Sequence, residues 1–119
     1  MAGSAFLGWE EITKLRSRKR RTAEIMVDCN GEDECDATME SYAVDCLQCP
    51  FEARMRGSGK GEKFRVLGVV CGEGGQIRCK ADVRGAIVRI ALLDIEPLSS
   101  AGTTNRRVIE DYQEYARGW

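Results

Sequence analysis

The 119-residue sequence contains no histidine. Histidine is the commonest general base and the commonest protein ligand of transition metals, so both kinds of chemistry lose their usual side chain. A Ser-His-Asp set cannot exist in this chain. Carboxylates are plentiful in one segment, but solvated acids there need no catalytic explanation. We therefore predict a protein that is not an enzyme.

The chain also lacks a long apolar run and a large net charge. No window approaches the length of a membrane span, and the first eleven residues lack the basic start and apolar run of a signal peptide. The net charge is −1, so no overall field attracts nucleic acid or a membrane. We expect one soluble, cytoplasmic domain without membrane insertion, with its six cysteines reduced.

Charge is nevertheless distributed unevenly along the chain. Residues 28–40 carry six acids and no base, and residues 32–36 are interpreted as an acidic loop. Five basic residues crowd a short stretch before it: Arg16, Arg18, Lys19, Arg20 and Arg21. Guanidinium groups bind phosphate bidentately and stack on bases, which lysine does poorly. The arginine-rich stretch therefore favours recognition of an anionic nucleotide.

Residues with apolar side chains on one side predict β-strands at 23–29, 38–45, 51–56, 76–84 and 86–95, and a strongly apolar, β-branched run predicts another at 64–71, which makes six. The short turns between them favour an antiparallel meander closed into a barrel, because parallel pairing needs crossover helices.

Helices are predicted at the two ends of the chain. Residues 105–117 have the apolar spacing of an amphipathic helix. Ser4 could cap a short N-terminal helix that carries Phe6, Trp9, Ile12 and Leu15 on one side. The predicted fold is mainly β: a six-stranded antiparallel β-barrel with a C-terminal α-helix and a short N-terminal helix or arm. The arm with the basic cluster covers 1–22, and the barrel plus helix covers 23–119.

The cysteines allow a second interpretation. Cys46 and Cys49 form a C-x-x-C pair, and Cys29 and Cys35 could complete four thiolates around zinc. An acidic loop separates the latter two, however, and a strand rather than a helix follows Pro50, which disfavours a redox pair. Cysteines that fill the core are the simpler interpretation. A small zinc-stabilised nucleic-acid-binding module remains an alternative.

Two stretches carry a resemblance to a known family. Arg16-Ser-Arg-Lys-Arg20 precedes the first predicted strand, and VDCLQCPFEARM links the second to the third. In these positions the chain resembles a PilZ domain, a bacterial receptor of cyclic di-GMP, which has R-x-x-x-R and [D/N]-x-S-x-x-G motifs around a six-stranded barrel. The stretches GEKFRVLGVV and IALLDIEP are similar to the second half of that family. The resemblance covers roughly Arg16 to the C-terminus.

The resemblance implies a ligand site. Arg16 and Arg20 would hold the phosphates and guanines of cyclic di-GMP, with Asp45 assisting and Arg21 as the alternative in a shifted register. This chain departs from the second motif in two places, since it has leucine where the family has serine and proline where it has glycine. Leucine offers no hydrogen bond and proline no N–H, so the clamp is incomplete.

Two functions are therefore compatible with the resemblance. The first is a signalling module that binds cyclic di-GMP through the arginine arm and the turn at Asp45, with an affinity that the incomplete clamp lowers. The second is a degenerate domain that binds no nucleotide and contacts a protein partner in a signalling pathway. Neither alternative predicts an oligomeric state.

Overall fold

The structure is a computed structural model that describes residues 8–27, 29–57, 61–71 and 76–117. Within these ranges the helices are α1 (Trp9–Thr13), α2 (Arg18–Ile25), α3 (Glu32–Cys46) and α4 (Thr103–Ala116). The strands are β1 (Phe51–Met55), β2 (Phe64–Cys71), β3 (Ile77–Val83), β4 (Ala86–Ala91) and β5 (Ile95–Pro97). No helix in this part of the chain is long and apolar enough to cross a membrane.

The strands form one antiparallel sheet in the order β4-β3-β2-β1-β5. The strands β4 and β5 lie at opposite ends of that order, so the described sheet is open. The prediction of a six-stranded barrel is wrong in both respects, because the sheet has five strands and does not close. The antiparallel pairing and the C-terminal helix are confirmed.

The last predicted strand is divided by a bend. Residues 86–95 form β4, a 3-10 turn at Leu92–Asp94 and the start of β5. The side-chain amide of Gln113 on α4 donates hydrogen bonds of 2.7–3.3 Å to the carbonyls of Leu92, Leu93 and Ile95. These carbonyls are therefore satisfied without a continuous strand ladder. The bend allows β5 to pair with β1 at the far edge of the sheet.

The second predicted strand is helical, and the first begins within a helix. In α3, the buried side chains are Met39, Tyr42, Ala43 and Cys46, which have the i, i+3, i+4, i+7 spacing of a helix. Val44, expected beside Tyr42 on the apolar side of a strand, is 37% exposed. The acidic loop predicted at 32–36 is the first turn of the same helix, where acidic side chains interact favourably with the helix dipole.

The predicted strand at 23–29 begins inside α2. The Ser17 side chain accepts a hydrogen bond from the Arg20 amide and caps this helix. The helix continues past position 22, where the predicted arm ends. Within α2, Arg21 and Ile25 are buried one turn apart. The predicted N-terminal helix is present in part as α1, while Ser4 and Phe6 lie outside the described residues.

The core lies between one face of the sheet and the helices. Alternate residues of the strands are buried on that face: Phe51, Ala53, Phe64, Val66, Ile77, Cys79 and Ala81. Side chains of α3 and α4 complete the same cluster: Met39, Tyr42, Ala43, Val108, Ile109 and Tyr112. The buried Asn105 links the start of α4 to the turn before β1, because its side chain bonds both the amide and the carbonyl of Gln48. The helices are thereby fixed relative to the sheet.

Candidate functional site

The arginine-rich stretch contains one buried member, Arg21. Its guanidinium donates to both carboxylate oxygens of Asp111, at 2.8 and 3.0 Å, and to Glu110 at 2.9 Å. The remaining donors reach the carbonyls of Leu15 and Arg16 at 2.7 and 3.0 Å. An arginine side chain has five N–H donors, and all five are used here. Arg21 is therefore a structural residue that joins α2 to α4 and has no donor left for a ligand.

Tyr42 on α3 belongs to the same buried cluster. Its hydroxyl donates a hydrogen bond of 2.7 Å to Asp111. Burial raises the pKa of Tyr42, and the neighbouring Asp111 carboxylate raises it further. The phenol therefore remains a donor throughout the ordinary pH range. Asp111 thus connects α2, α3 and α4 through a single carboxylate.

The other residues expected to bind a nucleotide share no described hydrogen bond or salt bridge. Arg16 precedes α2 and Arg20 lies within it, both exposed, and Asp45 is exposed near the end of α3. Among the described residues, no hydrogen bond or salt bridge joins any of the three arginines to Asp45. The structure therefore does not bring the predicted site residues together.

The cysteines do not form the alternative zinc site. Cys29 and Cys35 form a disulfide, which also corrects the expectation that all six cysteines are reduced. Cys46 is buried in α3, where burial raises the pKa of its thiol to about 11. A high thiol pKa opposes formation of the thiolate that zinc requires. The disulfide instead ties the start of α3 to the segment that precedes it.

One flank of α3, beside its buried face, carries an uninterrupted acidic row. We use the name α3 acidic row for Glu32, Asp36 and Glu40, which follow one another at intervals of one helical turn. Burial is the largest cause of the raised pKa of Tyr115. The hydrogen bond to Asp36 and the charges of Asp36 and Glu32 raise it further. Burial also raises the pKa of Tyr112, and the charges of Asp36 and Glu40 add to it. The row therefore runs along the side of α3 that faces α4.

Two members of the row have a polar neighbour. The Tyr115 hydroxyl donates a hydrogen bond to Asp36, the middle member. Beside Glu40, burial raises the pKa of the Cys71 thiol at the end of β2, and the hydrogen bond to Glu40 and the charge of Glu40 raise it further. Both neighbours act as donors to the carboxylates. The acids are thereby held in place without being neutralised.

The α3 acids are several carboxylates without a described basic partner on one helix, whereas Glu11, Glu24, Asp82 and Asp94, which also lack such a partner, lie on four different elements. Seven acids elsewhere in the described chain form salt bridges with lysine or arginine: Glu10, Glu52, Glu62, Glu96, Glu110, Asp111 and Glu114. No carboxylate of α3 has such a partner among the described residues. Like charges one turn apart on a helix repel, so this surface is electrostatically prepared for a cation.

The donor chemistry of the row suits a hard cation. Carboxylate oxygens are the ligands that hard divalent cations prefer, and neighbouring members lie one turn apart. Within the described ranges, however, no group of three His, Cys, Asp or Glu side chains converges closely enough to hold a metal ion. The row therefore offers neighbouring carboxylates, and water must complete any coordination shell that they begin.

Sequence reasoning did not select these residues. The excess of acid over base at 28–40 is visible in the sequence, but the predicted loop covers only 32–36, and the predicted second strand contains Glu40. The helical spacing of Glu32, Asp36 and Glu40, beside the buried face of α3, is the signal that identifies the row.

Comparison with known proteins shows a matching family model and two similar solved structures. The model of the CcbP family, described as calcium binding, matches residues 19–116. A crystal structure of CcbP from Anabaena has a TM-score of 0.69 and 23% sequence identity, covering 89% of this chain and 94% of the other. A structure of a calcium-binding protein in its calcium-binding form has a TM-score of 0.67 and 22% identity, covering 91% and 96%. No curated protein sequence matches the chain.

These matches overturn the resemblance to PilZ domains. The family and the similar folds are those of CcbP proteins, so the predictions of a cyclic di-GMP ligand, a nucleotide-binding signalling role and its partners are wrong. The degenerate interaction domain and the zinc-stabilised nucleic-acid-binding module are not supported either. The R-x-x-x-R match was misleading because a stretch with five basic residues in six positions produces it easily.

Proposed function

The chain belongs to the calcium-binding CcbP family, and from that membership we propose that it binds Ca²⁺ through the carboxylates of α3. The observation that carries the proposal is the match over residues 19–116, which includes the whole of α3. The unpaired acids of that helix support the same location. Ca²⁺ takes six to eight oxygen ligands, and carboxylates are the commonest of them.

Asp36 and Glu40 are the proposed principal ligands. They lie one turn apart, and both are partly buried, so their carboxylates have restricted freedom. The hydrogen bond from Tyr115 orients Asp36 before the ion arrives. Glu32, one turn nearer the helix start, adds negative charge. A bound cation removes the repulsion among these three carboxylates.

The proposed site is of moderate affinity. Calcium affinity rises with the number of ligand charges and with the rigidity of the site. Because neighbouring carboxylates and water would make up the shell, we expect a dissociation constant weaker than about 10⁻⁵ M. Such a site exchanges calcium readily and suits a binding protein without catalytic activity. Both the non-enzymatic role and the cytoplasmic location remain predictions.

Calorimetric titration of Ca²⁺ tests the site. The double variant Asp36→Asn/Glu40→Gln keeps the size of both side chains and removes both charges, so we expect the affinity to fall by at least about tenfold. Glu11→Gln is the matched control, because Glu11 is an exposed carboxylate on α1 without a described salt bridge. Its calcium affinity should equal that of the unmodified protein.

Two results would contradict the proposal. Unchanged calcium affinity in a folded double variant would place the ion elsewhere, and a folded unmodified protein that binds no calcium would reject the function itself. Circular dichroism establishes that each variant is folded. A parallel titration with Mg²⁺ tests selectivity, since a loose shell of carboxylates and water favours the larger ion.

A further inference from the structure

A second charged site lies on the opposite side of α4. A cleft of about 280 Å³ opens between α4, the start of α2 and the end of β1. Four arginines line it: Arg18, Arg56, Arg106 and Arg117. Four guanidinium groups around one concave surface are unusual in a chain with a net charge of −1. Their concentration here needs an explanation.

The two acids of the cleft leave most of this positive charge uncompensated. Glu110 is bound at 2.9 Å by Arg21, whose charge lies outside the cleft in the buried cluster. Glu114 contacts Arg18 at 3.4 Å and Arg117 at 3.7 Å. These distances are long for arginine–carboxylate hydrogen bonds. One carboxylate thus faces two cations without engaging either of them tightly.

The other two arginines are still more available. Arg56 reaches the neutral side-chain amide of Gln113 at 3.5 Å, the long limit for a hydrogen bond. Arg106 is exposed and its guanidinium has no hydrogen bond or salt bridge to another described residue. Both groups can therefore present a planar pair of donors to a ligand.

We propose that this cleft binds a small phosphate-bearing anion, with Arg56 and Arg106 as its principal donors. Paired N–H groups of arginine match phosphate oxygens in geometry and charge. A volume of about 280 Å³ is near the lower end for small-molecule sites, which suits one or two phosphate groups rather than a larger ligand. Glu114 acts as an internal counter-ion that the incoming anion displaces from Arg18 and Arg117.

Titration with pyrophosphate in calcium-free buffer at constant ionic strength tests this site separately from the calcium site. We expect saturable binding by the unmodified protein and an affinity at least about tenfold lower in Arg56→Ala/Arg106→Ala. In Glu114→Gln, the competing charge is absent, so pyrophosphate should bind several-fold more tightly. Surface ion pairs contribute little to stability, so this variant is expected to fold.

The matched control for lost positive charge is Arg89→Ala. Arg89 is exposed on β4, outside the cleft, and its removal should leave pyrophosphate binding unchanged. Equal losses in Arg89→Ala and the double variant would show attraction by overall charge and would overturn the proposal. Absence of saturable binding would do the same. Tighter binding of an oligoglutamate peptide than of pyrophosphate would assign the cleft to an acidic protein segment instead.

Discussion

The two sides of α4 show opposite uses of charge. On one side, the buried Arg21 engages Asp111 and Glu110 with all five of its donors. On the other, the α3 acidic row faces Tyr112 and Tyr115 without a basic partner among the described residues. The first arrangement is complete within the chain. The second becomes complete only with a cation from outside.

This difference separates structural charges from charges available for binding. A buried charge without partners costs several kcal/mol, so Arg21 and Asp111 have to be satisfied internally. An exposed carboxylate remains hydrated, so the row can persist at the cost of modest repulsion. Residual exposure and missing partners, rather than the density of charge in the sequence, therefore identify the surface that can bind a ligand.

The largest expected effect comes from breaking the internal pair. Arg21→Ala leaves Asp111 buried without its cation, and we expect the free energy of unfolding to fall by about 3–5 kcal/mol. Arg20→Ala, at the exposed neighbouring position, should change it by less than about 0.5 kcal/mol. Urea denaturation followed by circular dichroism measures both. Similar losses in the two variants would show that burial does not distinguish these arginines.

The Cys46 thiol on the buried face of α3 is expected to have an intermediate effect on stability. Burial raises the pKa of Cys46 to about 11 from its ordinary value of 9.0, so the folded protein retains a proton that the unfolded chain releases. Stability conferred by the neutral thiol is fully present below pH 9 and is lost as pH rises toward 11. Between pH 9 and 10 we expect the unfolding free energy to fall by roughly 1 kcal/mol from this thiol.

Comparison with Cys46→Ala isolates that contribution. The variant should lose stability less steeply over the same pH interval, whatever its stability at pH 7. Urea unfolding at pH 7, 9 and 10 gives the slopes. Identical slopes in the two proteins would mean that the Cys46 thiol titrates normally despite its burial.

The smallest effect tests the repulsion within the acidic row. In calcium-free buffer, Glu40→Gln should raise the unfolding free energy by about 0.2–0.5 kcal/mol, because it removes a like charge one turn from Asp36. Glu96→Gln, which breaks the salt bridge to Arg54, should lower it slightly. Thermal unfolding of the two variants shows whether each substitution raises or lowers stability. With saturating calcium, Glu40→Gln should be less stable than the unmodified protein. If Glu40→Gln is already less stable in calcium-free buffer, Glu40 is not repelled by its neighbours.

Local pattern predicted the second half of the fold well. The strands β1 and β3 were recognisable because one face of each is buried and the other is wet, which produces alternation, and β2 was recognisable from its apolar, β-branched run. Helix α4 was recognisable from its apolar stripe. The bend between β4 and β5 was not, because it depends on the amide of Gln113, contributed by α4.

The strand predictions for the first half of the chain were wrong because its short apolar segments fit both the period of a strand and the period of a helix. Ile25 and Val27 alternate like strand residues, and so do Tyr42 and Val44, yet both segments are helical or adjoin a helix. The helical spacing of Met39, Tyr42, Ala43 and Cys46 was equally visible. Packing of α3 against α4 decided between the two periods, and only the folded chain contains that contact.

The sequence by itself determined the strands from Phe51 onward, the terminal helix and the presence of one acidic and one basic segment. Tertiary structure alone decided which charges are neutralised, since Arg21 and Asp111 are 90 residues apart and meet only when α2 packs on α4. The physical reason is that the charge of a side chain is set by the local sequence, whereas its ion-pair partner and its removal from water are set by the fold. The acids that we assign to calcium are those that lie together on α3 without a basic partner among the described residues.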